Sequence, residues 1–437
     1  MRIIIWSGSL LILLWTALAV WSQHSSQLPV GGLLAILAGA WITLLIVWKG
    51  LKVQDNSQWK LWILIFAIAM RIPSFFATPL YEDDYFRFLW DGWNFATQGS
   101  PYVGAPEESF GHEEQMPAKM VSILQRVNYP EVPTIYPPAC QFFFLIAALI
   151  EPGSLFALRL VLLIVEIGVL LLFSRVASAK LLVLLAWCPL LIFESTFQVH
   201  PDVLGMAMLF AAYFFRLKKQ NALTGVFAGL ALCIKITTLP ALPFLLWPLR
   251  RNGALAFFLV VLGSYLPFLL QGSRADFDGL AVFTREWEFN AGLYALAIIP
   301  LSDATAKVVM LTLFASAFLY LWFTWARSGA LLAAVPQRIT VVYGLFFLIS
   351  PVVNPWYLVW LIPFVSLRPQ AWSLAALALV SVSYVRGQTL PESWDLSDFA
   401  QPVWLQTAEY AIVLVLGMLA LRTKKPAEID GLDSSKK

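Results

Sequence analysis

Three consecutive carboxylates, Glu82, Asp83 and Asp84, are the first side chains along the sequence whose type and spacing suit chemistry. Like charges at this spacing raise the pKa of at least one member, because joint ionisation is unfavourable. Such a cluster can act as a general base or bind a divalent cation. It can equally be the solvated start of a helix, where the N-terminal dipole favours negative charge. This stretch alone leaves the catalytic and the structural interpretation open.

A helix from Glu82 onward would place Asp84, Arg87 and Asp91 on one face, because residues at these spacings align along a helix. Aromatic residues give the same helix the amphipathic character of a membrane interface: Phe86, Trp90 and Trp93. The helix should end at Gly99, which is followed by serine and proline.

Three further polar residues interrupt apolar segments: His200, Asp202 and Lys235. An ionisable group at membrane depth is costly, so such residues are default candidates for a functional site. A lysine in this setting needs an anionic partner, which implies a phosphate or a carboxylate close to Lys235. The structural alternatives are a histidine that serves packing and a lysine whose amine reaches the membrane interface along its flexible stem.

Two later segments mix polar and aromatic residues, as sites for sugars and lipid phosphates do. Their candidate residues are Arg285, Glu288 and Asn290 in the first, and Asn354, Trp356 and Tyr357 in the second. The first segment can also be an interfacial anchor. The second can also be a proline kink beside a belt of tryptophan and tyrosine.

The composition places these residues in a membrane protein. The chain has 437 residues, of which 60% are hydrophobic and 13% charged, and its net charge is +3. A soluble chain carries roughly a quarter charged residues, so the surplus apolar surface must face lipid and a soluble protein is excluded. The three cysteines, Cys140, Cys188 and Cys233, lie in apolar runs without metal-ligand spacing, which predicts small core residues.

A bilayer core about 30 Å thick requires roughly 20 apolar residues per helix. The apolar runs predict spans near 3–21, 29–48, 60–78, 155–173, 179–196, 201–216, 222–236, 239–249, 252–271, 304–326, 339–353, 356–367, 371–386 and 404–422. No small-residue cleavage site follows the first run, which is therefore interpreted as a retained span and not as a signal peptide. Several spans are short and contain proline, which is tolerated only where the backbone is buried or lines a cavity.

The predicted fold class is an all-α polytopic membrane protein, a bundle of about 12–14 helices. Residues 1–422 would form one transmembrane domain, followed by a disordered cytoplasmic tail at 423–437. Lysine and arginine cluster at 49–60, 175–180, 216–219, 250–251, 327–338, 368 and 422–425. The positive-inside rule places these clusters and both termini in the cytoplasm.

The long loop 79–133 then lies outside, where its nine acidic and three basic residues fit. In this arrangement segment 134–150 must begin and end on the outer side, which predicts a re-entrant or membrane-lying helix. The polar candidates described above also fall on the outer face. This convergence favours a functional interpretation more than any single motif does.

The segment from Glu82 to Gly92, EDDYFRFLWDG, and the GSPY that follows at 99–102 resemble a known first external loop. The loop that they resemble belongs to bacterial polyprenyl-phosphate-mannose-dependent mannosyltransferases. These enzymes are members of the GT-C superfamily of integral membrane glycosyltransferases. The resemblance continues through 128–130, 133–138, 200–202, 229–235, 285–290, 350–351 and 354–357. It covers residues 60 to 365 and leaves the two N-terminal spans, 3–48, as additions without a role.

The resemblance implies a GT-C-like bundle with amphipathic juxtamembrane helices in the first external loop. It implies an enzyme that moves a hexose, mannose first of all, from a polyprenyl-phosphate donor to a glycan, lipid or protein acceptor with inversion. The reaction would take place on the external face of a bacterial inner (plasma) membrane. The catalytic carboxylate falls in the first loop, where Asp83 and Asp84 both remain candidates. Asp84 is preferred because it aligns with Arg87 and Asp91.

In the resulting hypothesis, the first-loop aspartate takes the proton of the acceptor hydroxyl as its oxygen attacks the anomeric carbon. Lys235 and Arg285, with His200 as a third, would neutralise the leaving phosphate. The expected substrate-binding residues are Glu82, Arg87, Asp91, Tyr136, His200, Asp202, Lys235, Arg285, Glu288, Asn290, Asn354, Trp356 and Tyr357. No cofactor is required, and a divalent cation on Asp83 and Asp84 is permitted.

Two other functions compete with this hypothesis. A transporter or flippase of a lipid-linked sugar should show internal repeats and ionisable residues near the bilayer midplane. The sequence shows neither. A lipid-linked glycan ligase or polymerase should carry its large catalytic loop late in the chain. Here the long acidic loop follows the third span.

Overall fold

The computed structural model describes residues 1–24, 29–52, 56–386 and 400–422, and nearly all of its regular structure is helical. The α-helices, numbered in chain order, are α1 Arg2–His24, α2 Val30–Gly50, α3 Ser57–Arg71, α4 Tyr85–Gln98, α5 Ala118–Leu124, α6 Pro138–Ile150, α7 Leu155–Ser174, α8 Ala179–Ala186, α9 Pro189–Ile192, α10 Asp202–Leu217, α11 Asn221–Ile234, α12 Leu242–Leu246, α13 Arg251–Leu270, α14 Phe277–Glu286, α15 Leu293–Ala297, α16 Asp303–Arg327, α17 Val335–Ile349, α18 Ile362–Leu367, α19 Ala371–Leu379 and α20 Val403–Arg422.

Tighter and wider helical turns connect or extend these helices. Short 3₁₀ helices are found at Ile72–Phe76, Pro106–Ser109, Glu113–Gln115, Ile236–Thr238, Leu332–Ala334, Pro355–Leu361 and Val380–Tyr384. A π-helical turn, Phe193–Phe197, follows α9. The described residues form no β-strand, although Phe289 and Val352 make an isolated parallel bridge.

Eight helices of the described residues are long and apolar enough to cross a membrane: Arg2–Gln23, Val30–Gly50, Ser57–Phe76, Leu155–Ser174, Arg251–Leu270, Asp303–Arg327, Leu332–Ile349 and Val403–Arg422. The pair Ala179–Ala186 and Pro189–Phe197, bent by 40°, makes a ninth if it is one span. Shorter apolar helices are found at Pro138–Ile150, Asn221–Ile234, Pro355–Leu367 and Ala371–Tyr384. The predicted all-α polytopic membrane protein is confirmed.

The starts of several spans are fixed by side chains that cap the free amides of the first helical turn. The Asn56 side chain accepts a hydrogen bond from the Trp59 amide at 3.2 Å and starts α3. Ser154 does the same at the start of α7, and Ser302 at the start of α16. Between these caps the helices are apolar on nearly all sides, as helices in contact with lipid must be.

Five of the fourteen predicted spans have no helix long and apolar enough to cross a membrane: 201–216, 222–236, 239–249, 356–367 and 371–386. The described residues therefore contain eight or nine candidate membrane-spanning helices and not 12–14. The apolar run 239–249 forms only the five-residue helix α12, Leu242–Leu246. Prolines at 240, 243 and 248 remove amide donors, and this limits a continuous helix. The predicted tail at 423–437 lies outside the described residues.

The first loop contains the two expected helices, α4 and α5. Helix α4 ends at Gly99, as predicted, because this glycine adopts the left-handed conformation with φ +75°. Its start differs from the prediction, since Tyr85 and not Glu82 is the first helical residue. The three carboxylates therefore precede the helix, and only Asp84 touches it, at the N-cap position.

Helix α6 packs lengthwise against α4. An added Cβ on Gly92 of α4 would lie 2.5 Å from the Phe144 carbonyl oxygen of α6, so glycine permits this close approach. The far end of α6 returns to the first loop, where Lys119 of α5 pairs with Glu151 at 3.2 Å. The re-entrant or membrane-lying placement of 134–150 stays a prediction, and these contacts are compatible with it.

Basic residues from different parts of the chain lie together at some helix ends. Lys60 donates to the Ser174 carbonyl oxygen at 3.0 Å, which joins the start of α3 to the end of α7. The Lys180 amine lies 5.7 Å from the ring centre of Trp48 near the end of α2. These contacts bring together two of the clusters that the positive-inside rule assigned to one side.

Candidate active site

The first-loop carboxylates share one amide donor. The Asn128 side chain donates to Asp83 at 2.8 Å and to Asp84 at 2.9 Å. Burial raises the pKa of the Asp84 carboxyl, while the hydrogen bond from Asn128 opposes this rise. The charges of Asp83, Lys235 and Asp202 also act on Asp84. Asp84 thus lies next to the later helices, whereas Asp83 is exposed.

Lys235 and Asp202 form a buried ion pair. The lysine amine donates to the two carboxylate oxygens of Asp202 at 2.8 and 3.0 Å. Asp202 is only 1% exposed and also accepts from the Trp360 indole at 2.7 Å. The Tyr357 ring centre lies 4.4 Å from the same amine. The anionic partner that Lys235 requires is therefore a carboxylate of the protein itself.

Close packing brings Trp360 to this pair. A Cβ added to Gly205, one turn after Asp202 in α10, would lie 1.7 Å from the Trp360 ring. Glycine at 205 therefore makes room for the indole. The contact joins α10 to the 3₁₀ helix that also carries Trp356 and Tyr357.

His200 lies in a second polar group beside the ion pair. Its Nδ1 is 2.9 Å from a carboxylate oxygen of Glu194, and its ring stacks on Trp356 with 3.8 Å between ring centres. The Tyr384 hydroxyl donates to the Glu194 oxygens at 3.0 and 3.2 Å. Burial and the charge of Lys235 hold the pKa of His200 well below its usual value. A lowered pKa disfavours the imidazolium form and argues against His200 as a third cation for the leaving phosphate.

The π-helical turn Phe193–Phe197 orients Glu194. Arg159 donates to the carbonyl oxygens of Thr196 and Phe197 at 2.9 and 3.3 Å, which holds the end of this turn. Ser195, next to Glu194, donates to Glu166 at 2.9 Å. Wide turns of this kind are frequent at functional sites, because the extra residue redirects side chains.

Tyr136 closes the group on the side of the first loop. Its carbonyl oxygen accepts from the Tyr102 hydroxyl at 2.9 Å, which fixes the segment that leads into α6. Burial raises the pKa of the Tyr136 phenol, and the charge of Asp84 is the next largest cause. The structure therefore places Asp84, Lys235, Asp202, His200, Tyr136, Trp356 and Tyr357 in one group.

A family model described as "Alpha-(1->6)-mannopyranosyltransferase, N-terminal domain" matches residues 6–251, more than half of the 437 residues. The chain belongs to this family. It is a mannosyltransferase, and hence a membrane-embedded glycosyltransferase. No curated protein and no solved structure matches the chain.

The family match corrects one expectation about the N-terminal region. It begins at residue 6 and therefore includes α1 and α2, which the resemblance treated as additions to the family core. It ends at residue 251, so Trp356, Tyr357 and Tyr384 lie outside the matched domain. The mannosyltransferase's candidate site thus combines residues from the matched domain with residues from the rest of the chain.

Arg87 and Asp91 bond to the first loop and to α6. Arg87 bonds to Asp91 at 2.9 Å and to the Val132 carbonyl oxygen at 2.9 Å. The other oxygen of Asp91 accepts from Thr134 at 2.6 Å and from Gln141 at 2.9 Å. These contacts tie α4 to the loop and to α6, so the two residues hold the mannosyltransferase's first loop in place. Their expected role in substrate binding stays a prediction.

Arg285 is also placed elsewhere. Its side chain is 72% exposed and pairs with Glu286 at 2.8 Å. Glu288 accepts from the Tyr294 hydroxyl at 2.8 Å, and Asn290 donates to Glu409 of α20 at 3.4 Å. The structure therefore does not bring these three expected binding residues to Asp84. A loop has two sides, and the sequence does not show which one faces the site.

Glu82 and Asn354 lie at the edge of the group. Glu82 pairs with Arg386, whose guanidinium lies 5.3 Å from the Phe289 ring centre and 5.7 Å from that of Tyr384. The Asn354 carbonyl oxygen accepts from the Tyr357 amide at 3.0 Å and so starts the 3₁₀ helix that carries Trp356. Trp90 is buried and packs on Trp93 at 5.2 Å between ring centres.

The donor set at Asp83 and Asp84 offers few cation ligands. Across the described residues, no group of three or more His, Cys, Asp or Glu side chains has a geometry that could hold a metal ion. The Asn128 amide bridges the two aspartates where a cation would have to bind. A divalent cation at this position stays a prediction.

Sequence reasoning missed several residues of the site: Asn128, Glu194, Trp360, Tyr384 and Arg386. Glu194 and Arg386 had a usable signal, because each is a charged residue within or at the end of an apolar run. Asn128 lies in segment 128–130 of the family resemblance, which did not give it a role. Trp360 and Tyr384 had no signal, because tryptophan and tyrosine are common at membrane interfaces.

Proposed function

We propose that this mannosyltransferase transfers mannose from a polyprenyl-phosphate donor to a hydroxyl of a glycan, glycolipid or protein acceptor. The observation that carries the proposal is the position of Asp84, whose carboxyl feels the charges of Lys235 and Asp202. A general base thus stands beside a cation at the ends of membrane helices. A lipid-linked donor can enter such a position from the bilayer.

In the proposed reaction, Asp84 accepts the proton of the acceptor hydroxyl while the oxygen attacks the anomeric carbon of mannose. The new bond joins that oxygen to the anomeric carbon, and the bond between the anomeric carbon and the phosphate oxygen breaks. The electron pair leaves with polyprenyl phosphate. Burial supports this role of Asp84, because a raised pKa makes a carboxylate a better base.

Lys235 is the cation best placed to meet the leaving phosphate. Its side chain is 16% exposed, whereas its partner Asp202 is 1% exposed, so the lysine is the more accessible member of the pair. Two of its three N–H groups contact Asp202. The third can donate to a phosphate oxygen and stabilise the charge that develops there. Arg285 is not part of this proposal.

The family description suggests the linkage. A product linked α-(1→6) requires attack by the primary hydroxyl at carbon 6 of a sugar in the acceptor. A single displacement inverts the anomeric centre. An α-linked product therefore requires a donor in which mannose is joined to the phosphate in the β configuration.

We also propose that the site faces the extracytoplasmic side of a bacterial inner membrane, with both termini in the cytoplasm. The basic clusters around Lys60 and Lys180 support this orientation. The carboxylates Asp83 and Asp84 belong to the acidic first loop, which has no such cluster.

The test is an assay of the purified protein with radiolabelled polyprenyl-phosphate mannose and a mannose-containing acceptor. The expected result is labelled product together with an equal amount of free polyprenyl phosphate. The double variant Asp83→Asn/Asp84→Asn should abolish both. Full activity of the double variant would overturn the role of the aspartates. Transfer from a nucleotide-linked mannose alone would overturn the lipid donor, and movement of intact donor across a membrane would indicate a flippase.

A further inference from the structure

The two ring nitrogens of His200 lie in different environments. Nδ1 lies 2.9 Å from Glu194, while Nε2 is shielded from solvent and has no hydrogen-bond partner among the described residues. The whole residue is 2% exposed, and its ring is held flat against Trp356. Buried polar atoms are nearly always paired, so an unpaired Nε2 indicates an atom kept for a ligand.

The protonation state of Glu194 decides which ring nitrogen of His200 carries the proton. The Tyr384 hydroxyl donates to both carboxylate oxygens of Glu194, a contact that suits an ionised carboxylate. An ionised Glu194 also accepts from Nδ1–H of His200. In a neutral imidazole with Nδ1 protonated, Nε2 carries a lone pair and can only accept a hydrogen bond.

A lone pair on Nε2 selects the chemistry of its ligand. A phosphate oxygen is itself an acceptor and gains nothing from this nitrogen, whereas a sugar hydroxyl can donate to it. His200 stands two residues before Asp202 and feels the charge of Lys235, so its ring belongs to the region where the proposed substrates meet. The stacked Trp356 adds an aromatic surface of the kind that packs against sugar rings.

We propose that Glu194 is a positioning residue that fixes His200 as the Nδ1–H tautomer, so that Nε2 accepts a hydrogen bond from a sugar hydroxyl. The hydroxyl belongs either to the mannosyl donor or to the acceptor. The inference rests on the proposed function of the site. It assigns His200 to sugar recognition and leaves the leaving phosphate to Lys235.

The first test is nitrogen NMR of the full chain with ¹⁵N-labelled histidine. The chain has only three histidines, His24, His112 and His200, and His200→Gln identifies the signal. Protonated and lone-pair ring nitrogens resonate far apart, so the tautomer is read directly. We expect a protonated Nδ1 and a lone-pair Nε2 at neutral pH. A protonated Nε2 would overturn the proposal, whatever the activity of the protein.

The second test is the kinetics of Glu194→Gln, which keeps the shape of the side chain but can donate to Nδ1 and so release the tautomer. We expect the KM of one sugar substrate to rise about tenfold, with a smaller change in kcat. A tenfold change corresponds to the loss of one hydrogen bond in binding. A rise in the donor KM assigns the hydroxyl to the donor, and a rise in the acceptor KM assigns it to the acceptor. Unchanged KM values for both substrates would overturn the proposal.

Glu409→Gln is the matched control, because Glu409 is also a buried carboxylate but contacts Asn290 instead of His200. It should leave both KM values unchanged. Deoxymannose donors or acceptors sharpen the test. With the wild type, an analogue that lacks the bonded hydroxyl should react with about tenfold lower kcat/KM than the normal substrate. With Glu194→Gln, the same analogue and the normal substrate should have equal kcat/KM. If the wild type transfers mannose but fails these tests, only the role of Glu194 is overturned.

Discussion

Two aspartates of the same helix, Asp84 and Asp91, show how differently this protein uses a carboxylate. Asp91 lies inside α4, and its oxygens contact Arg87, Thr134 and Gln141. Asp84 stands before the first turn of α4, and its side chain accepts one hydrogen bond, from Asn128. A carboxylate whose oxygens are occupied by protein donors holds structure. A carboxylate with acceptor capacity to spare, beside a cation, can take part in a reaction.

The variant Asp84→Asn should give the largest effect. Asparagine keeps the size of the side chain but cannot accept the proton, so kcat should fall by about 10²–10⁴-fold. The melting temperature should stay within the error of the wild-type value. The measurement is transfer of labelled mannose alongside a thermal unfolding curve. Asp83→Asn serves as the control and should retain most of the activity.

The variant Asp91→Asn should reverse this pattern. Removing one partner of a buried ion pair leaves Arg87 without its counter-charge, which costs about 3 kcal/mol of stability. The yield and the melting temperature should fall, while the folded fraction should keep the wild-type KM and kcat. A normal melting temperature combined with loss of mannose transfer would show that Asp91 takes part in the reaction. The two aspartates would then not differ in role.

The smallest effect should be a shift in the pH profile of Asp83→Asn. Asp84 must be ionised to accept a proton, so kcat/KM falls as the pH drops through its raised pKa. The charge of Asp83 contributes to that rise. Its removal should therefore lower the pKa of Asp84 and move the acidic limb to lower pH. Glu107→Gln, which removes a charge from an exposed position of the same loop, should leave the limb in place.

The sequence predicted the fold class well because helices that contact lipid must be apolar, which is visible in the composition. Long apolar runs identified most membrane helices, and Gly99 correctly marked the end of α4. The failure at 239–249 came from hydropathy, which counts apolar residues but does not weigh three prolines against a helix. The start of α4 was misplaced because acidic residues are equally common before a helix and in its first turn.

The site was predictable only in part. His200, Asp202 and Lys235 could be found because each is a polar residue at the boundary of an apolar segment. The contacts that these residues make could not be predicted, since some of their partners are distant in the sequence. Asp202 and Trp360, for example, lie 158 positions apart. Arg285 was expected to neutralise the leaving phosphate together with Lys235. Its local sequence is similar to that of a phosphate site, but its side chain is exposed to solvent.

The distance along the chain between these contacts has a consequence for biogenesis. Glu194 meets Tyr384 across 190 residues. A membrane protein is inserted from its N-terminus as it is synthesised, so the ribosome has made nearly all of the chain before these partners can meet. We therefore expect the nascent enzyme to stay inactive until this pair has formed, and a premature stop before Tyr384 to leave an inserted but inert protein.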